Sequence, residues 1–246
     1  MEKQITFVYS YYENPKMFQL HQKNWMEYDE KIKDHVSFIV TDDCSQKYPA
    51  KQYVLPNIDI DLKIFRNSVD IKWNWEGARN IGAHETTTKW IFVTDMDLLV
   101  PYETAKYLVD NISNFDDYTF YNFDRIMVSN KEKIKPHVNT YFLTKKLYWD
   151  SGGYDEEVNI LSGGMWGNDG PFKRWIRRTA KDEVQLSGVN LLCYSTTDIS
   201  DSACDFLGRK ETRDKNICDK MKSLSKHKFQ NNIRAKVLQF PYTREL

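Results

Sequence analysis

The hydrophobic pattern changes period repeatedly along the first hundred residues. Residues 5–9 form a short apolar, β-branched and aromatic run that suits a buried strand. Asn14-Pro15 then offers a cap followed by a first-turn proline. Phe18, Gln22, Trp25, Asp29 and Ile32 share one helical stripe, which predicts a helix through that stretch. Residues 36–41 read as a second strand ending in Asp42-Asp43-Cys44-Ser45, and residues 62–65 as a third. A helix is predicted from Trp75 to about Thr87, through Trp75, Ala78, Ile81 and Gly82. Residues 90–94 are a fourth strand that runs straight into Asp95-Met96-Asp97.

Strands that alternate with helices predict an α/β domain with a mainly parallel sheet flanked by helices. The second half is less regular. It carries strand signals at 119–123, 140–144 and 189–194 and a helix from Phe172 to about Arg178. The last forty residues are polar, basic and helical in part.

A chain of 246 residues fits one domain with a modest extension, and its size removes any need for disulfides. The formal charge of zero excludes a uniformly basic nucleic-acid coat or an acidic tail protein. Counted by segment, it is uneven: residues 1–130 carry a net −6 and residues 206–246 a net +7. Different partners are therefore expected at the two ends. Aromatic residues are plentiful, and they either pack or line a cleft for flat ligands such as bases or sugar rings. Cys44, Cys193, Cys204 and Cys218 lack zinc-knuckle spacing and read as inert core residues. With no apolar signal core and no window of eighteen apolar residues, a soluble cytoplasmic protein is expected.

Ligands of such sheets sit beyond the carboxyl ends of the strands, where both acidic pairs fall: Asp42-Asp43 and Asp95/Asp97. Two hard oxygen ligands at a strand end suit Mg²⁺ or Mn²⁺, which bridges the phosphates of a nucleotide. A solvated turn explains the second pair poorly, because apolar runs flank it on both sides.

Here the sequence resembles the GT-A nucleotide-sugar glycosyltransferases, close to family 2 and to the galactosyltransferase-like proteins. Residues 5–12 look like the first strand and its nucleotide-contacting end. Residues 40–45 are similar to the family's Asp-Asp-Gly-Ser segment, and Gly77-Ala78-Arg79-Asn80-Ile81-Gly82 to its Ala-Arg-Asn-x-Gly helix. Residues 89–97 resemble the strand leading into Asp-x-Asp. Gly152-Gly153-Tyr154-Asp155-Glu156 and Met165-Trp166-Gly167-Asn168-Asp169 resemble the acceptor-side motifs. Together the matches cover roughly residues 4–180.

The resemblance implies a Rossmann-like GT-A domain over residues 1–205. Residues 1–100 would hold the nucleotide sugar and residues 101–205 would form the acceptor side. A basic extension, 206–246, would pack on it. Ser10, Tyr11 and Asp43 would contact the nucleotide, with Tyr11 and Asp43 on the base. Arg79 would lie near the base or the diphosphate. Asp95, with Met96 beside it, would reach the ribose or the metal, and Asp97 would be the direct ligand of Mn²⁺ or Mg²⁺. Asp169 would be the catalytic base, with Trp166, Gly167 and Asn168 on the acceptor side.

The implied reaction moves a hexosyl or pentosyl unit, most simply from a UDP-sugar, to a hydroxyl by inversion. Retaining members share much of the motif set. Cys44 stands where the family has glycine, which is tolerable where the turn does not need a positive φ. Asn168 replaces a glutamate, so the acceptor type stays open. The family's late histidine ligand has His227 as its candidate, against a surface histidine in the basic run 222–228. Trp73 and Trp75 read as packing residues.

The basic tail, with Lys173, Arg174, Arg177 and Arg178, reads either as solvated surface or as a grip on a polyanionic acceptor such as hydroxymethylated DNA. An anionic lipid surface is a third reading. A nucleotidyltransferase is the rival activity, though residues 10–15 lack its Gly-rich loop. A non-catalytic nucleotide- or glycan-binding module is the other rival.

Overall fold

The first strand run becomes β1 (Ile5–Tyr11), and its alternation serves two cores at once. Phe7, Tyr9 and Tyr11 enter one core with Phe18 and Trp25, while Val8 enters a second with Ile91 and Val93. Burial on both faces is what a central parallel strand requires, so polar alternation is absent. The computed structural model describes residues 2–71, 74–161, 170–195, 198–199 and 215–246.

β2 (Val36–Asp42), β3 (Leu62–Asn67) and β4 (Trp90–Asp95) join β1 in the parallel order β3-β2-β1-β4. Beyond β4 the sheet is mixed. β8 (Tyr141–Thr144) is antiparallel to β4, and β6 (Thr119–Met127) is antiparallel to β8. β9 (Asp182–Cys193) runs parallel to β6 and then antiparallel to β5 (Leu98–Leu99). The short β7 (Lys133–Ile134) pairs with β6. The other edge is closed by β10 (Tyr242–Arg244), antiparallel to β3.

The predicted first helix is two helices, α1 (Pro15–Met26) and α2 (Glu30–His35). Asp29, read as part of one stripe, instead caps α2 by accepting from the Ile32 N–H at 2.8 Å. Pro15 opens α1 as expected, but the Asn14 side chain makes no capping hydrogen bond. α3 (Trp75–Glu85) lies across β1 and β2, and it comes close because of Gly82. A Cβ there would stand 2.4 Å from Val8 Cγ1. α4 (Tyr102–Asp110) completes the layer with α1 and α2, packing Ala105 and Leu108 into the first core. α5 (Lys145–Asp150) and α7 (Gly170–Thr179) cover the second core through Leu147, Phe172 and Ile176, with α6 (Glu156–Leu161) between them in the chain. α8 (Lys215–Gln230) packs on α6. No helix among the described residues is long and apolar enough to cross a membrane.

Candidate active site

In-register pairing gathers the carboxyl ends of β2, β1 and β4 at one edge. Ser10 stands opposite Thr41 on one side and Asp95 on the other, and Tyr11 opposite Asp42. One strand end thus places the two acidic segments side by side.

Asp42 is fully buried and organises its own loop: Oδ1 accepts from Ser45 N at 2.7 Å and Oδ2 from Ala50 N at 2.8 Å. Burial raises its carboxyl above the usual range. Asp43 is buried and accepts from Asn67 Nδ2 at 3.0 Å. Glu13 draws the rest of the loop inward, its carboxylate accepting from the backbone N–H groups of Gln46, Lys47 and Tyr48. Cys44 sits at φ 61, so the turn does use the left-handed region that the family's glycine would enter without strain. Tyr11 is fully buried, edge-on to Phe18, with its hydroxyl donated to the Tyr48 carbonyl. Its ring therefore has no open face, whereas Tyr12 beside it is half-exposed.

The Asp-x-Asp segment turns from β4 into β5. Met96 is buried, and its carbonyl accepts from His21 Nε2 at 2.7 Å. A carbonyl only accepts, so the His21 proton is on Nε2. Full burial pushes that imidazole down to about 4, which keeps it neutral. On the other side, the Tyr194 N–H donates to the Asp97 carbonyl at 3.0 Å, continuing the β9 pairing of Leu98 with Cys193.

Asp95 keeps 28% of its side chain exposed and has a charged partner at Oδ1 and a histidine beside Oδ2. Arg79 Nη2 donates to Oδ1, and His137 Nδ1 lies 3.4 Å from Oδ2. Arg79 has no exposed surface. Its other terminal nitrogen donates to the Asn139 carbonyl and the Tyr154 hydroxyl, each at 2.8 Å, and Trp75 lies under its guanidinium at 4.7 Å. Arg79 is thus placed to position Asp95. Trp75 packs edge-on to Tyr154. Asp97 is half-exposed, and its carboxyl stands well above the usual range, through desolvation first and the neighbouring Asp95 charge second. Arg125 of β6 opposes that rise.

This donor chemistry suits a divalent cation. Two adjacent carboxylates resist joint ionisation, and an added double positive charge removes the conflict. Among the described residues no cluster of three or more His, Cys, Asp or Glu could hold a metal. A metal at Asp95 and Asp97 would therefore need further oxygens from phosphate and water, as Mg²⁺ commonly does.

His227 is exposed on the last turn of α8, 3.1 Å from Asn231 Nδ2; among the described residues no hydrogen bond or ion pair joins it to Asp95 or Asp97. That matches the surface reading. Trp73, Trp166, Gly167, Asn168 and Asp169 lie outside the described residues. Sequence reasoning missed His137 and Arg125. The signal for His137 is positional: it stands just before β8, whose antiparallel pairing with β4 brings Tyr141 opposite Val93.

The segment formed by residues 152–157 is knit into the fold by hydrogen bonds and ion pairs. Asn80 donates to the Tyr154 carbonyl and to Glu156 and accepts from the Tyr148 hydroxyl and Tyr154 N–H. Buried Glu156 also accepts from the backbone N–H groups of Leu238 and Gln239. Asp155 and Glu157 pair with Lys228 at 2.7 and 2.5 Å.

A nucleotide-type α/β sheet with an acidic pair at its carboxyl edge defines a GT-A-type fold, and comparison with known proteins agrees. The model of the family described as "Glycosyl transferase family 2" matches residues 27–182, more than half of the chain. The chain belongs to glycosyl transferase family 2. Solved structures of the same fold include S. aureus TarS 1–349, at 15% identity and TM-score 0.63, covering 79% of this chain and 61% of that one. The same TarS segment in complex with UDP matches at 15% and 0.63, covering 79% and 62%. Its complex with UDP-GlcNAc matches at 15% and 0.62, covering 78% and 58%. The chain thus spans about three fifths of the length of these solved chains. No curated protein matches it.

Proposed function

We propose that the chain transfers a sugar from a nucleoside diphosphate sugar, with UDP as the nucleotide, to a hydroxyl acceptor. The observation that carries this reading is Asp95, held by Arg79 at the strand edge beside a half-exposed Asp97. Family membership and the UDP and UDP-GlcNAc complexes of a protein with this fold support it.

Asp97 and Asp95 would hold Mn²⁺ or Mg²⁺. A divalent ion there supplies charge stabilisation to the departing diphosphate. The chain's own work is positional. Arg79 holds Asp95 in one orientation, with His137 beside its other oxygen, while His21 and Tyr194 fix the backbone on either side of Asp97. The acceptor oxygen attacks the sugar C1 as the C1–O bond to the diphosphate breaks. The electron pair leaves with the nucleoside diphosphate, and the acceptor proton passes to the Asp169 carboxylate, giving inversion.

Turnover of UDP-sugars, as hydrolysis and as transfer, tests the assignment in Asp97→Ala and Asp169→Asn enzymes. Each is expected to lose at least about a hundredfold in kcat. Unchanged turnover in either variant removes the corresponding role. Binding of UDP without any turnover in the wild type would instead favour a non-catalytic nucleotide-binding module.

A further inference from the structure

The sequence motifs leave the acceptor unassigned, and a second cleft bears on it. An open cavity of about 500 Å³ lies between α7 and α8, lined among the described residues by Gly170, Lys173, Arg174, Arg177, Arg178 and Phe229. None of Ser10, Asp43, Arg79, Asp95 or Asp97 lines it. A volume of that order is typical of a ligand site.

The cleft follows from helical spacing. Phe172 and Ile176 take α7 into the second core, so its polar side presents Lys173, Arg174, Arg177 and Arg178 together. Lys173 and Arg177 share one acid, Glu183, at 3.0 and 2.6 Å. Arg174 and Arg178 have no carboxylate partner among the described residues. Their guanidinium carbons lie 5.5 and 5.2 Å from the Phe229 ring, and Arg178 donates to the Phe229 carbonyl at 3.0 Å. Among the described residues, four cations converge around one carboxylate. Such repulsion is relieved by an anion, and guanidinium forks match phosphate oxygens.

The cationic row does not stop at the cleft. Lys222 and Lys226 are exposed and precede Phe229 by seven and three residues, so they lie on the same stripe of α8. Arg174 and Arg178 are likewise one turn apart, about 6 Å along the axis. Charges repeating at that interval fit a chain of phosphates better than one isolated anion. The aromatic rings, by contrast, are occupied: Trp175 packs edge-on to Phe229 at 5.1 Å and Arg178 covers both. No free platform for stacking a base remains among these residues. Gly170 lines the cleft at the start of α7 and directly follows Asp169 in the chain.

We propose that the α7–α8 cleft holds the phosphates of a phosphodiester-linked acceptor polymer, read through its backbone and not through bases. This rests on the transferase reading of the preceding subsection and names the acceptor class for it.

Fluorescence anisotropy with a labelled abasic phosphodiester oligomer tests it without any donor chemistry. Binding to the wild type is expected to weaken steeply between about 50 and 200 mM salt. Arg174→Glu, at a residue that makes no described hydrogen bond, should weaken it at least about tenfold, and Arg174→Gln less. Lys51→Glu makes the same charge change on the helix layer covering the first core, and should leave binding within about threefold. UDP binding by Arg174→Glu, read as a thermal shift, should match the wild type, which separates failure here from failure of the donor site. Equal losses in the Arg174 and Lys51 variants, or no binding of the oligomer, overturn the proposal. A DNA strand that binds far more tightly than the abasic oligomer also overturns it.

Discussion

Arg79 shows how burial alters the meaning of a motif. The sequence marks it by the Ala-Arg-Asn resemblance, and a cation in such a segment invites a phosphate partner. The structure gives it no exposed surface and sets it on Asp95, the Asn139 carbonyl and the Tyr154 hydroxyl. Lysine cannot reproduce a fork that reaches three acceptors. Arg79→Lys is expected to lower kcat/KM for the donor at least about tenfold while the protein still folds, as steady-state kinetics and circular dichroism will show. The strand-end positions of Asp43, Asp95 and Asp97 were legible because strand ends in an α/β sheet are identifiable from local pattern. The burial of Tyr11 and Arg79 was not legible, because it depends on what packs over each side chain in the folded chain. Cys44 belongs at this scale too. A β-branched side chain tolerates φ 61 poorly, so Cys44→Val should cost about 1–2 kcal/mol in urea unfolding.

Among elements, the parallel strands and α3 follow from runs of apolar residues and helical spacing, which are local properties. The mixed half does not, because β6, β8 and β9 choose partners far away in sequence. His137 becomes an Asp95 neighbour only through the β4–β8 pairing. The α1–α2 boundary was hidden because the stripe continues in phase through Asp29, whose side chain caps where the pattern suggests it should pack. Packing of α3 on β1 depends on Gly82. Gly82→Ala drives a methyl into Val8 and is expected to destabilise by about 1–3 kcal/mol, measured by denaturant titration. The tail is tied down by Glu156, whose carboxylate accepts from Asn80, Leu238 and Gln239. Glu156→Ala removes the acceptor shared by buried Asn80 and the part-buried N–H groups of Leu238 and Gln239. A loss of about 3 kcal/mol is expected, with faster hydrogen exchange at Tyr242–Arg244.

For the whole molecule, the zero net charge separates into distinct local arrangements. Lys228, buried against Asp155 and Glu157, and Lys236, paired with Glu157, fasten the tail. Arg174 and Arg178 line a cleft and have no carboxylate partner among the described residues. Segment counting detected the asymmetry but not this division, because charge pairing is a tertiary property. Global stability should also register His21. Its unfolded form takes up a proton below about pH 6.5, whereas the folded form does so only near 4. The unfolded state therefore binds more protons in that window, so this contribution is complete above it and declines as pH falls. From pH 7 to pH 5 the loss is about 2 kcal/mol, and His21→Gln, which keeps a donor for Met96, should abolish that part of the slope.

Calorimetric titration of UDP tests the proposed metal-assisted nucleotide site at Asp95 and Asp97 most directly. Wild type with Mn²⁺ should bind UDP at least about tenfold more tightly than wild type with EDTA, and Asp97→Ala should bind equally weakly in both. UDP binding that is indifferent to both Mn²⁺ and Asp97 would contradict it.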